Sequence, residues 1–105
     1  MNEHTDTICS LFKQKILNKF ISVLAENGYS ERDYSLNGYA EMKICMEKTG
    51  TDEWEVFVGE RGMKHYLTKH LTVEAACNQM MDLLVSDEDL YKEMEESFLQ
   101  IVKDI

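Results

Sequence analysis

The stretch Trp54-Glu55-Val56-Phe57-Val58-Gly59-Glu60-Arg61-Gly62 decides the fold of this chain. Its apolar side chains recur at every second position from Trp54, which predicts a strand with one apolar face. Glycines bracket the Glu-Arg pair at residues 59–62, a spacing typical of a short hairpin loop, because glycine readily adopts positive φ. Residues 63–68 then return as a further strand with weaker alternation.

The same alternation extends upstream of the hairpin. Residues 40–47 predict another strand, in which Ala40, Met42, Ile44 and Met46 face inward. A short strand around residues 34–36 would bring the number of strands from three to four.

Apolar residues at three- and four-residue steps predict helices on both sides of these strands. The first helix runs from Ile8 to about Leu24, and its stripe consists of Ile8, Leu11, Phe12, Ile16, Leu17, Phe20, Val23 and Leu24. Thr72 suits the N-cap of a second helix, and Ser86, with Asp89 three residues later, suits the N-cap of a third that ends near Ile105.

These elements predict a single α+β domain over residues 1–105. It has an N-terminal helix, a three- to four-stranded antiparallel meander and two C-terminal helices packed on the sheet. We expect the first and last helices to cover the apolar face of the sheet, and Glu55 and Phe57 to face outward.

The charge of the chain is negative and unevenly placed. The net charge is −9, and residues 72–105 hold nine acidic and only two basic residues. Nucleic-acid binding requires a basic footprint, so this class of partner is excluded. The excess favours a basic protein partner or simply a solvated helix face. No apolar run approaches the ~20 residues that span a bilayer, and the N-terminus lacks a secretion signal, so we expect a cytoplasmic protein without membrane contact.

Residues with catalytic or metal-binding potential are scattered. Cys9, Cys45 and Cys77 are odd in number and widely spaced, which does not indicate a disulfide framework or a zinc site. The chain also lacks nucleophile-elbow and phosphate-loop motifs. We therefore expect neither an enzyme nor a bound metal or cofactor.

Two groups of residues are candidates for partner binding. The first is acidic and lies on the two C-terminal helices: Asp82, Asp87, Glu88, Asp89, Glu93, Glu95 and Glu96. The second consists of the aromatic residues Tyr39, Phe57 and Tyr66, which alternation places on the outer face of the sheet. The alternative for the second group is that a helix covers this face too.

One sequence pattern indicates a relationship to known proteins, which composition alone does not. Trp54-x-Val56-Phe57-x-x-Glu60-Arg61-Gly62, followed by Thr72-x-x-Ala75-Ala76-Cys77, resembles immunity proteins of bacterial polymorphic-toxin and contact-dependent inhibition systems. The resemblance covers residues 40–85, and Glu60 and Arg61 are the positions that match the turn of that pattern.

The resemblance implies a cytosolic protein that binds one cognate toxin domain and blocks its active site or substrate face. A nuclease, basic around its cleft, is one candidate toxin. The alternatives are a small cytosolic interaction or regulatory module without a toxin partner and, third, a small enzyme or ligand-binding domain; a homodimer is compatible with each of the first two.

Overall fold

The computed structural model describes the backbone of residues 3–104 and the side chains of residues 11–104. The predicted Ile8, Cys9 and Ile105 side chains therefore lie outside the described residues. The elements are α1 (Glu3–Glu26), β1 (Tyr34–Ser35), β2 (Lys43–Gly50), β3 (Glu53–Glu60), β4 (Met63–His70), α2 (Val73–Leu84) and α3 (Glu88–Asp104). This order confirms the predicted α+β fold.

The four strands form one sheet in the order β1-β2-β3-β4. The β2-β3-β4 part is the predicted antiparallel meander. The short β1 differs from the prediction, because it pairs with β2 in parallel, with Tyr34 opposite Ile44. The sheet is therefore mixed rather than wholly antiparallel.

The segment before β2 interrupts the predicted alternation. Met42 has a φ of 61° and is 73% exposed, so its predicted inward position is wrong. Its N–H donates to the Gly59 carbonyl at 2.7 Å, which ties the segment to β3. Since a left-handed residue reverses the course of an extended chain, the regular strand begins only at Lys43.

The hairpin between β3 and β4 is tighter than the four residues 59–62 suggest. Glu60 pairs with Met63, so the loop consists of Arg61 and Gly62 alone, with φ values of 55° and 75°. Two consecutive positive φ values are typical of the turn that best matches strand twist. Gly59 is required for another reason: a Cβ there would lie 2.3 Å from the Ala40 carbonyl oxygen.

A β-bulge interrupts the pairing of β3 with β4. Val56 lies opposite Thr68, whereas Val58 lies opposite His65, so Phe57 faces two residues of β4 instead of one. Those two are Tyr66 and Leu67, and Tyr66 has a φ of 55°. The bulge explains why the alternation of this strand is weak in the sequence.

The core lies between the sheet and the three helices. The helix closest to the strands is α2, which lies against β2, β3 and β4 and buries Val73, Ala76, Cys77, Met80 and Met81. Both α1 and α3 pack on α2 and on each other, with Phe20 edge-to-face on Phe98 at 5.4 Å between ring centroids. The expectation that the first and last helices cover the sheet is thus wrong, because α2 is the helix that lies against the strands, whereas α1 and α3 pack chiefly on α2 and on each other.

Among the described side chains of α1, the predicted apolar stripe is buried only from Ile16 onward. Ile16, Phe20, Val23 and Leu24 are buried, whereas Leu11 and Phe12 are 59% and 42% exposed, contrary to the prediction. Next to Leu11 and Phe12 along α1, it is Lys13 that contacts the sheet. Its ammonium bonds to Asp52 at 2.9 Å and lies 5.1 Å from the Trp54 ring centroid, so the two apolar residues point elsewhere.

Side chains cap the two C-terminal helices. Thr72 accepts a hydrogen bond from the Ala75 N–H at 3.2 Å, as predicted for its helix. The cap of α3 is Asp87, whose Oδ1 accepts from the N–H groups of Asp89 and Leu90 at 2.9 and 3.2 Å. The predicted Ser86 cap is therefore wrong by one residue, since α3 begins at Glu88.

Candidate partner-binding surfaces

The predicted acidic residues lie at the surface of the α2–α3 region. Asp82, Asp87, Glu88, Asp89, Glu93 and Glu96 are exposed, and Glu95 is half-buried. Asp87 differs from the others, because its carboxylate is engaged at the N-terminus of α3. We call these seven residues the acidic surface.

One part of the acidic surface lines a cleft between α2 and α3. Asp82, Glu88 and Glu95 share this open cleft, of about 440 Å³, with Tyr91 and Lys92. The Tyr91 hydroxyl donates to Glu95 at 3.1 Å. Burial raises the pKa of the Tyr91 phenol, and the hydrogen bond to Glu95 and the charges of Glu95 and Asp82 raise it further. The cleft thus combines an aromatic ring with a negative potential.

The remaining acids follow a different stripe of α3. Asp89, Glu93 and Glu96 are spaced by four and three residues, which places them on one face of the helix. Met94 and Phe98 lie on the other, buried face of α3. The structure therefore distributes the predicted acids over two neighbouring exposed strips rather than one.

The acidic surface is not neutralised within the fold. In the part of the chain with described side chains, the ion pairs are Lys13–Asp52, Lys64–Glu47 and Lys64–Glu55, and none of them includes a member of this surface. Uncompensated charges of one sign create a field that extends about a Debye length into solvent, ~8 Å at physiological salt. Such a field favours approach of a cationic surface.

The aromatic candidates do not form an exposed patch on the sheet. Phe57 lies on the outer face, opposite Cys45, as predicted, but it is completely buried. The outer face is therefore covered at this point, although by a non-helical segment and not by a helix. The ring of Tyr39 stacks on it, with centroids 6.3 Å apart, and the Lys64 ammonium lies 4.9 Å from its centroid. Tyr39 and Tyr66 remain 38% and 78% exposed.

Residues 39–41 cover Phe57, and we call them the covering segment. Hydrogen bonds, which we call the clasp, hold this segment to the hairpin. The Tyr39 hydroxyl donates to Glu41 at 2.5 Å and accepts from the Gly62 N–H at 2.7 Å. Glu41 also accepts from the Arg61 N–H at 2.6 Å. The bond to Glu41 raises the pKa of the Tyr39 phenol, and that bond, followed by the one from Arg61, lowers the pKa of the Glu41 carboxyl.

Glu60 and Arg61, the two residues that match the turn of the sequence pattern, lie in the hairpin beside the clasp. Glu60 ends β3 and is half-buried, and its carbonyl is 3.3 Å from Nε2 of His65. Arg61 occupies the left-handed first position of the turn, and its backbone N–H is held by Glu41. Both residues therefore shape the hairpin through their backbones, and their roles in partner contact stay a prediction.

Sequence reasoning missed the apolar side chains on β4 and beyond it. Met63, Leu67 and Leu71 are 61%, 40% and 75% exposed. The register places Met63 on the helix side of the sheet, opposite Glu60, whereas Leu67 and the predicted Tyr66 lie opposite Phe57 on the outer side. The signal that could have found them is the Met-x-x-Tyr-Leu pattern from residue 63, which fits neither a helix nor a half-buried strand.

No family model matches the chain, and no curated protein and no solved structure matches it either. In the described part of the chain, no helix has the length and apolarity needed to cross a bilayer. The same residues contain no cluster of three or more side chains with metal-ligating potential.

Proposed function

We propose that this protein is a cytoplasmic immunity protein that binds and neutralises a basic toxin domain of a bacterial polymorphic-toxin or contact-dependent inhibition system. The observation that carries the proposal is the acidic surface, whose seven carboxylates have no cationic partner among the described side chains. The sequence pattern around the β3–β4 hairpin supports the choice of partner.

The acidic surface suits a neutralising role in two ways. Its long-range field speeds encounter with a basic protein and discriminates against acidic ones. At contact, carboxylates on the rigid helix α3 and in the cleft beside Tyr91 can pair with lysine or arginine side chains of a nuclease cleft. Occupation of that cleft, or of the substrate face beside it, would exclude a polyanionic substrate by shape and by charge.

The first experiment identifies the partner. The proposal predicts that a secreted protein with a variable C-terminal domain is encoded beside this gene, and this domain is to be purified and mixed with the chain. We expect a stable complex by size-exclusion chromatography and loss of the domain's toxicity when the two are co-expressed. Absence of a complex and of protection would contradict the proposed function.

The second experiment tests the surface. Glu93→Lys with Glu96→Lys reverses two exposed charges in the middle of α3, away from its capped N-terminus. We expect at least a roughly ten-fold loss of affinity for the toxin domain at low salt, with an unchanged circular dichroism spectrum. The matched control is Glu26→Lys with Glu31→Lys, which changes the net charge equally on exposed residues outside the acidic surface.

The comparison of the two variants separates a local contact from a general charge effect. Equal losses in both variants would show that only net charge matters. Unchanged affinity in the α3 variant over a range of salt concentrations would move the contact to another surface.

A further inference from the structure

The sheet has buried side chains on both of its faces. On the outer face, Cys45 of β2 and Phe57 of β3 lie opposite each other and are completely buried. Neither residue belongs to the core that the sheet shares with the helices. The covering segment, whose Tyr39 ring stacks on Phe57, therefore closes a second, small apolar cluster, and the main core does not depend on it.

The contacts that hold the covering segment are few and mostly polar. Ala40 approaches the Cys45 thiol with its N–H and with its carbonyl oxygen, each 3.4 Å from Sγ. Within the part of the chain that the structure describes, the other hydrogen bonds of residues 39–41 are those of the clasp. They join exposed groups of Tyr39 and Glu41 to the backbone of the hairpin. Few apolar contacts and exposed hydrogen bonds are typical of segments that open locally.

Both ends of the covering segment are attached to strands at left-handed residues. Gly38, directly before it, has a φ of 104°, and its N–H donates to the Met46 carbonyl at 3.0 Å. Met42, directly after it, has a φ of 61°, and its N–H donates to the Gly59 carbonyl at 2.7 Å. Left-handed residues turn the chain sharply. Residues 39–41 can therefore lift away from the sheet while both ends stay in place.

We propose that the covering segment opens and closes on the folded protein, that the Glu41 carboxylate holds it closed, and that opening uncovers Phe57 and the Cys45 thiol. Three of the four hydrogen bonds of the clasp end on this carboxylate, which accepts from the Tyr39 hydroxyl and from two N–H groups of the hairpin. The fourth joins the Tyr39 hydroxyl directly to the hairpin. Loss of the Glu41 side chain therefore removes most of the clasp.

Opening of the covering segment changes the surface of the protein and leaves its fold intact. Tyr66 and Leu67 of β4 lie opposite Phe57 on the outer side and are already exposed. In the open state Phe57 joins them, so the outer face gains a continuous apolar surface that the closed state hides. This device involves neither the acidic surface nor a toxin partner.

The two buried thiols in the described part of the chain report on the opening, because Cys45 lies under the covering segment and Cys77 lies in the main core. The full chain is treated with N-ethylmaleimide at urea concentrations below the unfolding transition, and mass spectrometry of its peptides follows each cysteine separately. We expect Cys45 to be labelled at least about ten-fold faster than Cys77 and with little dependence on urea, since a short segment exposes little surface when it opens. A Cys45 rate no higher than that of Cys77, or an equally steep dependence on urea, would overturn the proposal.

Three variants separate this opening from global unfolding. Glu41→Ala should accelerate the labelling of Cys45 about five-fold or more, whereas Glu26→Ala, an equal change of charge at an exposed position of α1, leaves it unchanged. Ile16→Val destabilises the main core and should accelerate the labelling of Cys77 about five-fold. It leaves Cys45 unchanged, because the main core persists in the open state. An unaltered Cys45 rate in the Glu41 variant, or a faster one in the Ile16 variant, would contradict the proposal.

Discussion

Three residues other than glycine with positive φ surround the β3–β4 hairpin: Met42, Arg61 and Tyr66. Met42 and Tyr66 redirect the chain at points where the predicted strands would continue, whereas Arg61 lies in the hairpin turn that the sequence predicts. The clearest consequence is Phe57, which lies on the outer face as predicted but is buried, because the turn at Met42 brings Tyr39 over it. Residue type did not reveal the positive φ of Met42 and Tyr66, since left-handed backbone is expected mainly at glycine and asparagine.

Alanine variants of Gly59 and Gly62, the two glycines of the hairpin, can be compared directly for their stability. Gly59→Ala places a Cβ against the Ala40 carbonyl oxygen, so the covering segment must move, and we expect a loss of about 2–3 kcal/mol in the free energy of unfolding. Gly62→Ala meets no neighbour within 4 Å and incurs only the left-handed penalty, about 1 kcal/mol. Urea titration of both variants checks the order, and a larger loss at Gly62 would contradict this account of Gly59.

The helices were more predictable than the strands. The sequence predicts both C-terminal helices, and the structure buries the apolar face of each: Val73, Ala76, Cys77, Met80 and Met81 of α2, and Met94 and Phe98 of α3. In the sheet, β3 was predicted well, but the bulge in β4 and the parallel partner β1 depend on contacts between distant segments. Local spacing therefore could not determine them.

The start of α3 provides a test of capping. Asp87→Ala removes the acceptor of two backbone N–H groups and a negative charge at the helix N-terminus, so we expect a loss of about 1 kcal/mol in stability. Ser86→Ala, one residue earlier, is the matched control and should change stability by less than about 0.5 kcal/mol. Thermal and urea unfolding measure both changes, and the reverse order would restore the cap predicted from the sequence.

The arrangement of the layers was the least predictable property of the fold. Each helix shows an apolar face, but periodicity does not say which element that face meets. The structure places α2 against the strands and packs α1 and α3 on it. Likewise, the charge pattern identified the acidic surface, whereas the grouping of Asp82 with Glu88 and Glu95 in one cleft depends on the packing of α2 against α3.

The contact between the two ends of the chain is a test of this packing. Phe98 is fully buried and meets Phe20 of α1, so Phe98→Ala should reduce the free energy of unfolding by about 3–5 kcal/mol. Leu99→Ala changes the next residue, which is 42% exposed, and should have an effect below about 1 kcal/mol. Denaturant unfolding of both variants compares the two sites, and similar losses would contradict the observed orientation of α3.

The pairing of Phe20 with Phe98 also has a consequence for biosynthesis. The two rings are separated by 78 residues of sequence, and α1 is synthesised before α3, so the contact can form only after residue 98 has been added. Until then Phe20 lacks its aromatic partner in the nascent chain, and closure of this part of the core waits for α3. A fragment truncated before residue 98 would leave an exposed apolar face on α1, which favours chaperone binding and degradation.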